Sequence, residues 1–319
     1  MSADRRSQTA ATAECDKLCA SRSRVLTWRA VPNHPKSKLG RKSKRGRRPK
    51  LGQHFLADPG YRRRIAEAIS VSADDLVIEI GPGRGAMTGL LAERARRVVA
   101  VEIDRALAEQ LKSRMGGDPR IEVLQGDILS TDLEAICRRY GAEKCYVFGN
   151  LPYYITSPIL HRLFDSRTAI RAMALVVQRE VAERITASPG TRAYGYLSVL
   201  TALWSRPQAL LQIPPGAFAP PPKVQSTLVE FLVTSRFPEW NCHTRERFLE
   251  FVKACFAQKR KSLLNNLGGI YERGRVEQAL AEATERLPRP LPSRLRAEQL
   301  TLEEFAALFD RLAGEPQKH

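Results

Sequence analysis

The stretch "DLVIEIGPGRG" at residues 75–85 decides the fold, because it joins an apolar run to a turn that holds three glycines. A short run that is apolar on both faces is typical of a buried strand in a parallel sheet. Gly81, Gly83 and Gly85 lack a Cβ, so they can adopt positive φ and let a ligand approach the backbone closely. The stretch therefore predicts a buried strand followed by a ligand-binding turn.

Apolar runs and helical patterns alternate along the following chain. Five further strands are predicted, at "RVVAVEID" (97–104), "IEVLQGD" (121–127), "KCYVFGN" (144–150), "AMALVVQ" (172–178) and "STLVEFLV" (226–233). The alternation in the last of these suits an edge or antiparallel position. Before the first strand, Asp58 and Pro59 predict the N-cap and first residue of a helix. Together these signals predict a doubly wound α/β domain over residues 50–236.

Past Phe237 the pattern changes to helices alone. The predicted helical segments are "RERFLEFVKACFAQ" (245–258), "KRKSLLNNL" (259–267), "GRVEQALAEA" (274–283) and "RAEQLTLEEFAALFDRLA" (296–313). We therefore predict a second, all-helical domain over residues 237–319.

The net charge of +18 and the pI near 10 favour a polyanionic partner. The first 50 residues carry 15 Lys and Arg against three acids, which gives +12 of that excess. Because residues 1–49 show no sustained period of 2 or 3.6, we predict a disordered basic arm. The run at 36–50 suits contacts with an RNA backbone. A solvated tail, an organelle-targeting peptide and a wrongly assigned start codon stay open as alternatives.

The length of the apolar runs and the spacing of the cysteines indicate which cell compartment and which metal cofactors to expect. No apolar run approaches the roughly 18 residues that a membrane span needs, so we expect no membrane partner. The six cysteines lack the paired spacing of a zinc site, and no metal is expected. Scattered cysteines of this kind favour reduced thiols in a cytoplasmic protein.

Acidic residues end the next two predicted strands. Glu102 follows Gly81 by 21 residues, where its carboxylate can accept hydrogen bonds from both hydroxyls of a ribose. Asp127 can accept a hydrogen bond from an adenine amine, or it can cap the following helix. The spacing Gly81-x-Gly83-x-x-Ala86 also satisfies the dinucleotide fingerprint, so a nicotinamide or flavin enzyme stays open at this point.

The fourth strand ends in Asn150-Leu151-Pro152-Tyr153, which neither extends the strand nor starts a helix well. The Asn150 side chain and the Leu151 carbonyl offer two acceptors, and Pro152 favours an extended conformation for its neighbour. Two acceptors suit the two N–H donors of the adenine amine, and Tyr153 offers a face for stacking the base. The segment therefore favours adenine methylation over hydride transfer, with a capped tight turn as the structural alternative.

Six motifs stand in a fixed order along the chain, namely "KLGQHFL" (50–56), "EIGPGRGAMT" (79–88), "VEID" (101–104), "GDIL" (126–129), "GNLPYYITSPIL" (149–160) and "AFAPPPKVQS" (217–226). Together they closely resemble the KsgA-type ribosomal RNA adenine dimethyltransferases, over about residues 48–315. The resemblance implies a class I S-adenosylmethionine-dependent methyltransferase fold, which is Rossmann-like with a mostly parallel seven-stranded sheet and a small helical C-terminal domain. It also implies dimethylation of two adjacent adenines in the 3′-terminal hairpin loop of small-subunit rRNA during ribosome assembly.

The resemblance implies a role for individual residues in the matching motifs. The expected S-adenosylmethionine contacts are Gln53, His54, Leu56, Gly81, Glu102, Asp127 and Asn150. The expected catalytic positions are Asn150, Leu151, Pro152 and Tyr153, with Phe218 covering the target base from the side opposite Tyr153. For Phe218 the alternative is ordinary packing of its loop against the core.

The resemblance also implies an RNA-binding segment and partners. Lys259, Arg260 and Lys261 form a cationic stretch that can meet rRNA phosphates, with a solvated helix terminus as the alternative. The expected partner is small-subunit rRNA in the 30S pre-ribosomal particle, and the expected state is a monomer. Two other functions stay open: a related large-subunit rRNA methyltransferase that confers macrolide resistance, and a non-catalytic ribosome-assembly or transcription factor.

Overall fold

The structure is a computed structural model that describes residues 54–285 and 295–313. The predicted arm at 1–49 and Gln53 lie outside the described residues. The strands of the described part are β1 (Phe55–Leu56), β2 (Leu76–Ile80), β3 (Arg97–Glu102), β4 (Ile121–Gln125), β5 (Cys145–Asn150), β6 (Ile170–Gln178), β7 (Ser205–Ile213), β8 (Phe218–Ala219) and β9 (Ser226–Val233).

Helices connect the strands and make up the C-terminal part of the described chain. They are α1 (Pro59–Ala68), α2 (Thr88–Arg94), α3 (Arg105–Met115), α4 (Leu133–Arg139), α5 (Thr156–Asp165), α6 (Arg179–Ile185), α7 (Tyr196–Trp204), α8 (Cys242–Cys255), α9 (Leu263–Leu267), α10 (Arg273–Glu285) and α11 (Leu302–Ala313). Asp58 caps α1 by accepting a hydrogen bond from the Tyr61 N–H, and Pro59 begins the helix, as predicted. No helix in residues 54–285 and 295–313 is long and apolar enough to cross a membrane.

Seven strands form one sheet in the order β4-β3-β2-β5-β6-β9-β7. Strands β2 to β6 pair in parallel, whereas β9 runs antiparallel to both β6 and β7. This arrangement confirms the predicted Rossmann-like α/β fold with a mostly parallel seven-stranded sheet. The short strands β1 and β8 form a separate antiparallel pair.

Alternate residues of the central strands enter different hydrophobic clusters. In β2, Ile78 and Ile80 belong to one cluster and Val77 to another. In β5, Val147 and Phe148 divide in the same way. Successive side chains of a strand point to opposite faces, so a strand covered on both faces must be apolar throughout. This explains why the strands appear in the sequence as continuous apolar runs.

The six predicted strands agree with the structure to within two residues at each end. The antiparallel direction of β9 is confirmed, but β9 lies inside the sheet because β7 covers its outer side. No strand is predicted from the sequence at β7, which contains Pro207 and several exposed residues. Proline is tolerated on an edge strand, where its missing N–H removes no necessary hydrogen bond.

In the described residues only helices follow β9, the longest of which are α8, α10 and α11. Phe248 and Phe305 from this part belong to the same hydrophobic cluster as the sheet residue Phe231. The domain boundary between residues 236 and 237 stays a prediction. The helix predicted over 259–267 is too long, since α9 begins only at Leu263.

The basic residues before α9 lie in a turn because local hydrogen bonds hold it. The Asn266 side chain donates to the carbonyls of Cys255, at 2.7 Å, and Gln258, at 3.2 Å. The Lys261 N–H donates to the Gln258 carbonyl at 2.9 Å. Residues 259–261 are consequently presented on a turn, which corrects the expectation that they belong to a helix.

Candidate active site

The carboxyl ends of β2 and β3 meet at one edge of the sheet and are tied together by hydrogen bonds. The Gly81 N–H donates to the Val101 carbonyl at 2.9 Å. The Gly83 N–H donates to Glu102 Oε2 at 3.0 Å, and the Gly126 N–H after β4 donates to the Glu102 carbonyl at 2.9 Å. Three predicted motifs therefore form one continuous site.

The three glycines of the turn serve different purposes, although all adopt positive φ, at 62°, 56° and 71°. A Cβ on Gly83 would lie 2.6 Å from the Phe55 ring, and one on Gly85 would lie 2.5 Å from Leu111 Cδ1. A Cβ on Gly81 would meet no described atom within 4 Å. Gly83 and Gly85 are thus required for packing, whereas Gly81 leaves open space above the turn.

Glu102 is buried, with 1% of its surface exposed, rather than facing solvent at the strand end. Its Oε2 accepts from the Gly83 N–H, and its Oε1 accepts from the Asp104 N–H at 2.9 Å. Each oxygen of a carboxylate has about two lone-pair sites, so further hydrogen bonds from ribose hydroxyls remain available. The two backbone bonds fix the carboxylate in place before a ligand binds.

Glu79 is a second buried acid, which the sequence analysis does not single out. It is 2% exposed, and its Oε2 accepts a 2.6 Å hydrogen bond from the Thr88 hydroxyl. Burial raises the pKa of Glu79 to about 7; the Thr88 bond opposes the shift and the negative charge of Glu102 adds to it. A charged residue inside the otherwise apolar strand β2 is the sequence signal for this position.

Asp127 follows β4 and is partly buried. Its Oδ1 accepts from the Leu129 N–H at 2.9 Å, and its carbonyl accepts from the Thr131 hydroxyl at 2.8 Å. The side chain therefore holds the turn after β4, but it does not cap the following helix, because Asp132 caps α4. No described residue donates to Oδ2, which leaves an acceptor beside the site.

Ile103, directly after Glu102, is a further feature that the sequence analysis misses. It is 52% exposed, in contrast to the buried residues of β3. An exposed large apolar residue next to a glycine-rich turn offers a surface for a flat ring. Its signal in the sequence is an apolar residue after the last residue of the strand.

Asn150 and Leu151 present acceptors at the end of β5. The Asn150 Nδ2 donates to the His54 carbonyl at 2.9 Å, so its Oδ1 is the acceptor that remains. The Leu151 N–H donates to the Val176 carbonyl at 3.2 Å. Within residues 54–285 and 295–313, no group donates to Asn150 Oδ1 or to the Leu151 carbonyl. Two unused acceptors therefore lie on consecutive residues.

Pro152 and Tyr153 continue this segment. Pro152 is extended, with φ −60° and ψ 131°. The Tyr153 hydroxyl forms a 2.8 Å hydrogen bond with Ser226 Oγ. Partial burial raises the pKa of Tyr153, while the bond to Ser226 lowers it. The ring is thus anchored at its hydroxyl end.

His54 joins three of the motifs. Its ring stacks with the Tyr153 ring at 5.6 Å between centroids, and its Nδ1 forms a 2.7 Å hydrogen bond with the Pro220 carbonyl. Its own carbonyl accepts from Asn150. In the structure His54 positions Tyr153 and Asn150, and its predicted contact with the cofactor stays a prediction.

Leu56 and Phe218 face each other across the β1–β8 pair. They are 4% and 3% exposed and belong to one hydrophobic cluster. The structure thus places Phe218 in the core, as its packing alternative predicts. A contact between its ring and the target base requires the ring to be uncovered.

Lys259, Arg260 and Lys261 are all exposed. The Lys259 Nζ donates to the Arg192 carbonyl, which connects the basic turn to the segment before α7. Lys259 also lines a cavity of about 1020 Å³ whose wall includes Tyr153. The cavity therefore links the Asn150–Tyr153 segment to the first of these cations.

The residues present fit S-adenosylmethionine. Open space lies above Gly81, an anchored carboxylate lies at Glu102, and Ile103 exposes an apolar surface beside it. A nucleoside requires this combination of ribose acceptor and flat apolar surface. The fold and the site together define a class I S-adenosylmethionine-dependent methyltransferase.

Comparison with known proteins gives the family. A family model described as ribosomal RNA adenine dimethylase matches residues 45–310. The chain is 45% identical to the ribosomal RNA small subunit methyltransferase A of Acidobacterium capsulatum, over 83% of this chain and 91% of the relative. It is 41% identical to the protein of the same name from Koribacter versatilis, over 87% of this chain and 99% of the relative. The chain belongs to the ribosomal RNA adenine dimethylase family.

Solved structures agree with this assignment. The 23S rRNA methyltransferase ErmE is 30% identical with a TM-score of 0.63, and the match covers 81% of this chain and 99% of ErmE. A dimethyladenosine transferase from Plasmodium falciparum shares the fold at 24% identity, with a TM-score of 0.64 over 80% of this chain and 96% of its own. The chain is accordingly an rRNA adenine dimethyltransferase that uses S-adenosylmethionine.

Proposed function

We propose that this enzyme dimethylates two adjacent adenines in the 3′-terminal hairpin loop of small-subunit rRNA, during assembly of the 30S particle. The observation that carries the proposal is the pair of unused acceptors, Asn150 Oδ1 and the Leu151 carbonyl. The names of the relatives, small subunit methyltransferase A, support the choice of ribosomal subunit. We further propose that the enzyme acts as a monomer in the cytoplasm.

The two acceptors determine the chemistry at the adenine amine. The amine nitrogen is a poor nucleophile because its lone pair is delocalised into the ring. Two acceptors outside the ring plane favour a tetrahedral nitrogen, whose lone pair is then available for bond formation. This interaction is stronger in the transition state than in the ground state, which is the requirement for catalysis.

Tyr153 and Pro152 position the base. The hydrogen bond to Ser226 and the stacking on His54 hold the Tyr153 ring in place. Its other face can stack on the adenine, a contact worth about 1–3 kcal/mol for nucleic-acid bases. The extended backbone at Pro152 orients the preceding carbonyl. Phe218 is proposed to cover the far side of the base once its ring is uncovered.

The cofactor is proposed to lie along the edge formed by β2, β3 and β4. Glu102 would accept from the ribose hydroxyls, Gly81 would allow close approach, and Asp127 Oδ2 would accept from the adenine amine of the cofactor. The proposed set is completed by His54, Leu56, Gln53 and Asn150. When bound, S-adenosylmethionine supplies a methyl group as an electrophile.

No general base of unusual pKa is required. Alkylation of the amine nitrogen makes its N–H acidic, so the proton can pass to water. The Asn150 and Leu151 acceptors are uncharged oxygens. They can therefore hold the amine of a bound adenine without taking up its proton. This explains why a neutral amide, rather than a carboxylate, stands at position 150.

The rest of the chain is proposed to hold the ribosomal particle. The exposed turn of Lys259, Arg260 and Lys261 presents three cations for phosphate contacts. Residues 237–319 would act as an RNA-binding helical domain, and the basic residues of 1–49 would add contacts that depend on salt. Such contacts orient the enzyme on the rRNA but do not recognise its nucleotide sequence. Recognition of the target adenine is proposed to occur in the base pocket.

A large-subunit rRNA substrate is the second candidate, because ErmE is 30% identical and shares the fold. The relatives named for the small subunit are more similar, at 45% and 41% identity. These higher identities favour the small-subunit substrate.

The test is to incubate the purified enzyme and S-adenosylmethionine with unmethylated small-subunit particles or with large-subunit particles, followed by mass spectrometry of rRNA fragments. We expect two dimethyladenosines in the 3′-terminal fragment of small-subunit rRNA. Modification of large-subunit rRNA alone would favour the second candidate. Binding of particles and cofactor without methylation of either rRNA would indicate a non-catalytic assembly factor.

A further inference from the structure

Tyr154 is exposed although it is large and aromatic. Its exposed fraction is 64%, against partial burial for its neighbour Tyr153. Tyr153 is held by hydrogen bonding and stacking, whereas Tyr154 makes no ring contact or hydrogen bond with a described residue. An exposed aromatic face directly beside the proposed base pocket needs an occupant or a role.

The cavity beside the pocket has walls that suit a nucleotide. Its volume of about 1020 Å³ exceeds what a single small ligand requires. Tyr153, Tyr154 and Tyr196 line it together with Arg192 and Lys259. Aromatic faces combined with cations are typical of sites for single-stranded nucleic acid.

The charges of the cavity favour an anion. The two acids on its wall are already paired: Glu180 with Arg184, and Glu183 with Arg179 at 2.9 Å. Arg192 and Lys259 form no ion pair within the described residues. The Lys259 Nζ donates to the backbone carbonyl of Arg192, and both residues line the cavity. The uncompensated charge of the cavity wall is therefore positive.

We propose that this cavity is a second nucleotide subsite, which binds the nucleotide next to the target adenine on the same RNA strand. The base of that nucleotide stacks on Tyr154, and its phosphate contacts Arg192 and Lys259. The proposal rests on the proposed function, because the position of the first adenine in the Asn150–Tyr153 pocket defines its neighbour. Consecutive tyrosines thus match consecutive bases.

The second nucleotide subsite would fix the register of the RNA strand relative to the base pocket. A single-stranded loop has unstacked bases that aromatic side chains can hold. Fixing the neighbour on Tyr154 limits which base can enter the pocket at Tyr153. RNA is favoured over a protein partner because the wall pairs a stacking surface with unpaired cations, the combination that recognises a base and its phosphate.

The experiment uses the full chain and a single-stranded RNA with 2-aminopurine next to an adenosine, since stacking quenches the fluorescence of this base. The wild-type enzyme should quench it. Tyr154→Phe keeps the aromatic face and should quench equally, whereas Tyr154→Ala should lose most of the quenching. We expect Tyr154→Ala to raise the Kd roughly 5- to 150-fold, the range for loss of one base–aromatic stack.

The cations are tested with matched arginine variants. Arg192→Ala should weaken RNA binding and lower the slope of log Kd against log salt by about 1. Arg206→Ala is the control. Arg206 is exposed on the edge strand β7, near the end that pairs with Val233. The opposite end of β7 pairs with Ser226, which bonds the Tyr153 hydroxyl beside the cavity. Arg206→Ala should leave both values unchanged.

No quenching by the wild type, or equal quenching by Tyr154→Ala, overturns the subsite. Weaker binding of Tyr154→Ala to small-subunit particles, with RNA binding unchanged, would assign the cavity to a ribosomal protein and also overturns it. Methyl transfer to small-subunit particles is measured separately. Quenching without methyl transfer by the wild type would contradict the proposed function alone, and methylation without the Tyr154 effect would contradict the subsite alone.

Discussion

The cofactor side and the base side of the active-site edge differ in how their polar groups are satisfied. On the cofactor side, both oxygens of Glu102 accept backbone hydrogen bonds, and the side chain is 1% exposed. On the base side, Asn150 Oδ1 and the Leu151 carbonyl have no donor among the described residues, and Tyr154 is 64% exposed. The first side is organised before ligands bind, whereas the second keeps its acceptors and aromatic faces available for RNA.

This difference separates two kinds of mutational effect. A change on the cofactor side removes contacts that the folded protein already makes, so stability and cofactor affinity should both fall. A change on the base side removes acceptors or ring faces that RNA uses, together with single contacts such as the bond from Asn150 to the His54 carbonyl, so methyl transfer should fall far more than stability.

The largest expected effect is that of Asn150→Ala. Removing an acceptor used in the transition state should lower kcat about 100- to 1000-fold, as for other preorganised polar groups. Affinity for RNA should stay largely intact, because phosphate contacts supply most of it. Single-turnover methylation and a binding assay measure the two quantities.

The control is Gln208→Ala, which removes an exposed amide from the edge strand β7. It should leave kcat unchanged. Strong residual dimethylation by Asn150→Ala would contradict the role given to its side chain.

Glu79 should make stability depend on pH. Its pKa is raised from 4.5 to about 7 in the folded protein, so folding favours the protonated form. The stability that this provides is fully present below pH 4.5 and is lost as the pH rises through 7. The loss relative to Glu79→Gln should approach about 3 kcal/mol in the free energy of unfolding.

Urea unfolding of the wild type and Glu79→Gln at pH 5 and pH 8 measures this change. Glu93→Gln, at an exposed position on α2, is the matched control and should follow the wild type. Parallel stability curves for the wild type and Glu79→Gln would contradict the burial of a titrating carboxyl.

Glu102→Ala tests the cofactor side directly. Loss of charge-assisted hydrogen bonds of about 1.5–3 kcal/mol predicts a fall in cofactor affinity of roughly 10- to 150-fold. Thermal stability should fall too, because the N–H groups of Gly83 and Asp104 lose their acceptor. Calorimetric titration with S-adenosylmethionine gives the affinity.

Glu109→Ala is the control for Glu102→Ala. Glu109 forms an exposed ion pair with Arg105, and surface pairs contribute little to stability. Unchanged cofactor affinity in Glu102→Ala would show that Glu102 does not bind the ribose hydroxyls of the cofactor.

The smallest expected effect is that of Lys261→Ala in the basic turn. One lost phosphate contact should weaken particle binding a few-fold and lower the salt slope by about 1. Binding measured at several salt concentrations checks this. A slope identical to that of the wild type would exclude Lys261 from the RNA contact.

The sequence predicts the cofactor side better than the base side. Parallel strands place their carboxyl ends at one edge, so the ends of β2 and β3 bring Gly81 and Glu102 together on topology alone. Their spacing in the sequence is thus sufficient to predict the site. That the Glu102 oxygens already accept two backbone bonds does not follow from spacing.

Three features of the structure were not predicted from the sequence: the burial of Phe218, the edge strand β7 and the basic turn at 259–261. Phe218 is buried because β8 pairs with β1, from the opposite end of the domain. The edge strand β7 lacks a continuous apolar run because most of its side chains are exposed or only partly buried. Lys259 and its neighbours leave the helical pattern because Asn266 holds their turn through side-chain bonds. Only Phe218 is missed because of a contact between residues that are far apart in the sequence.

The most direct test of the central claim is a crystal structure of the enzyme with adenosine and S-adenosylhomocysteine. We predict that the adenine amine nitrogen lies within about 3 Å of both Asn150 Oδ1 and the Leu151 carbonyl oxygen. An adenine bound elsewhere, or one whose amine meets neither oxygen, would contradict it.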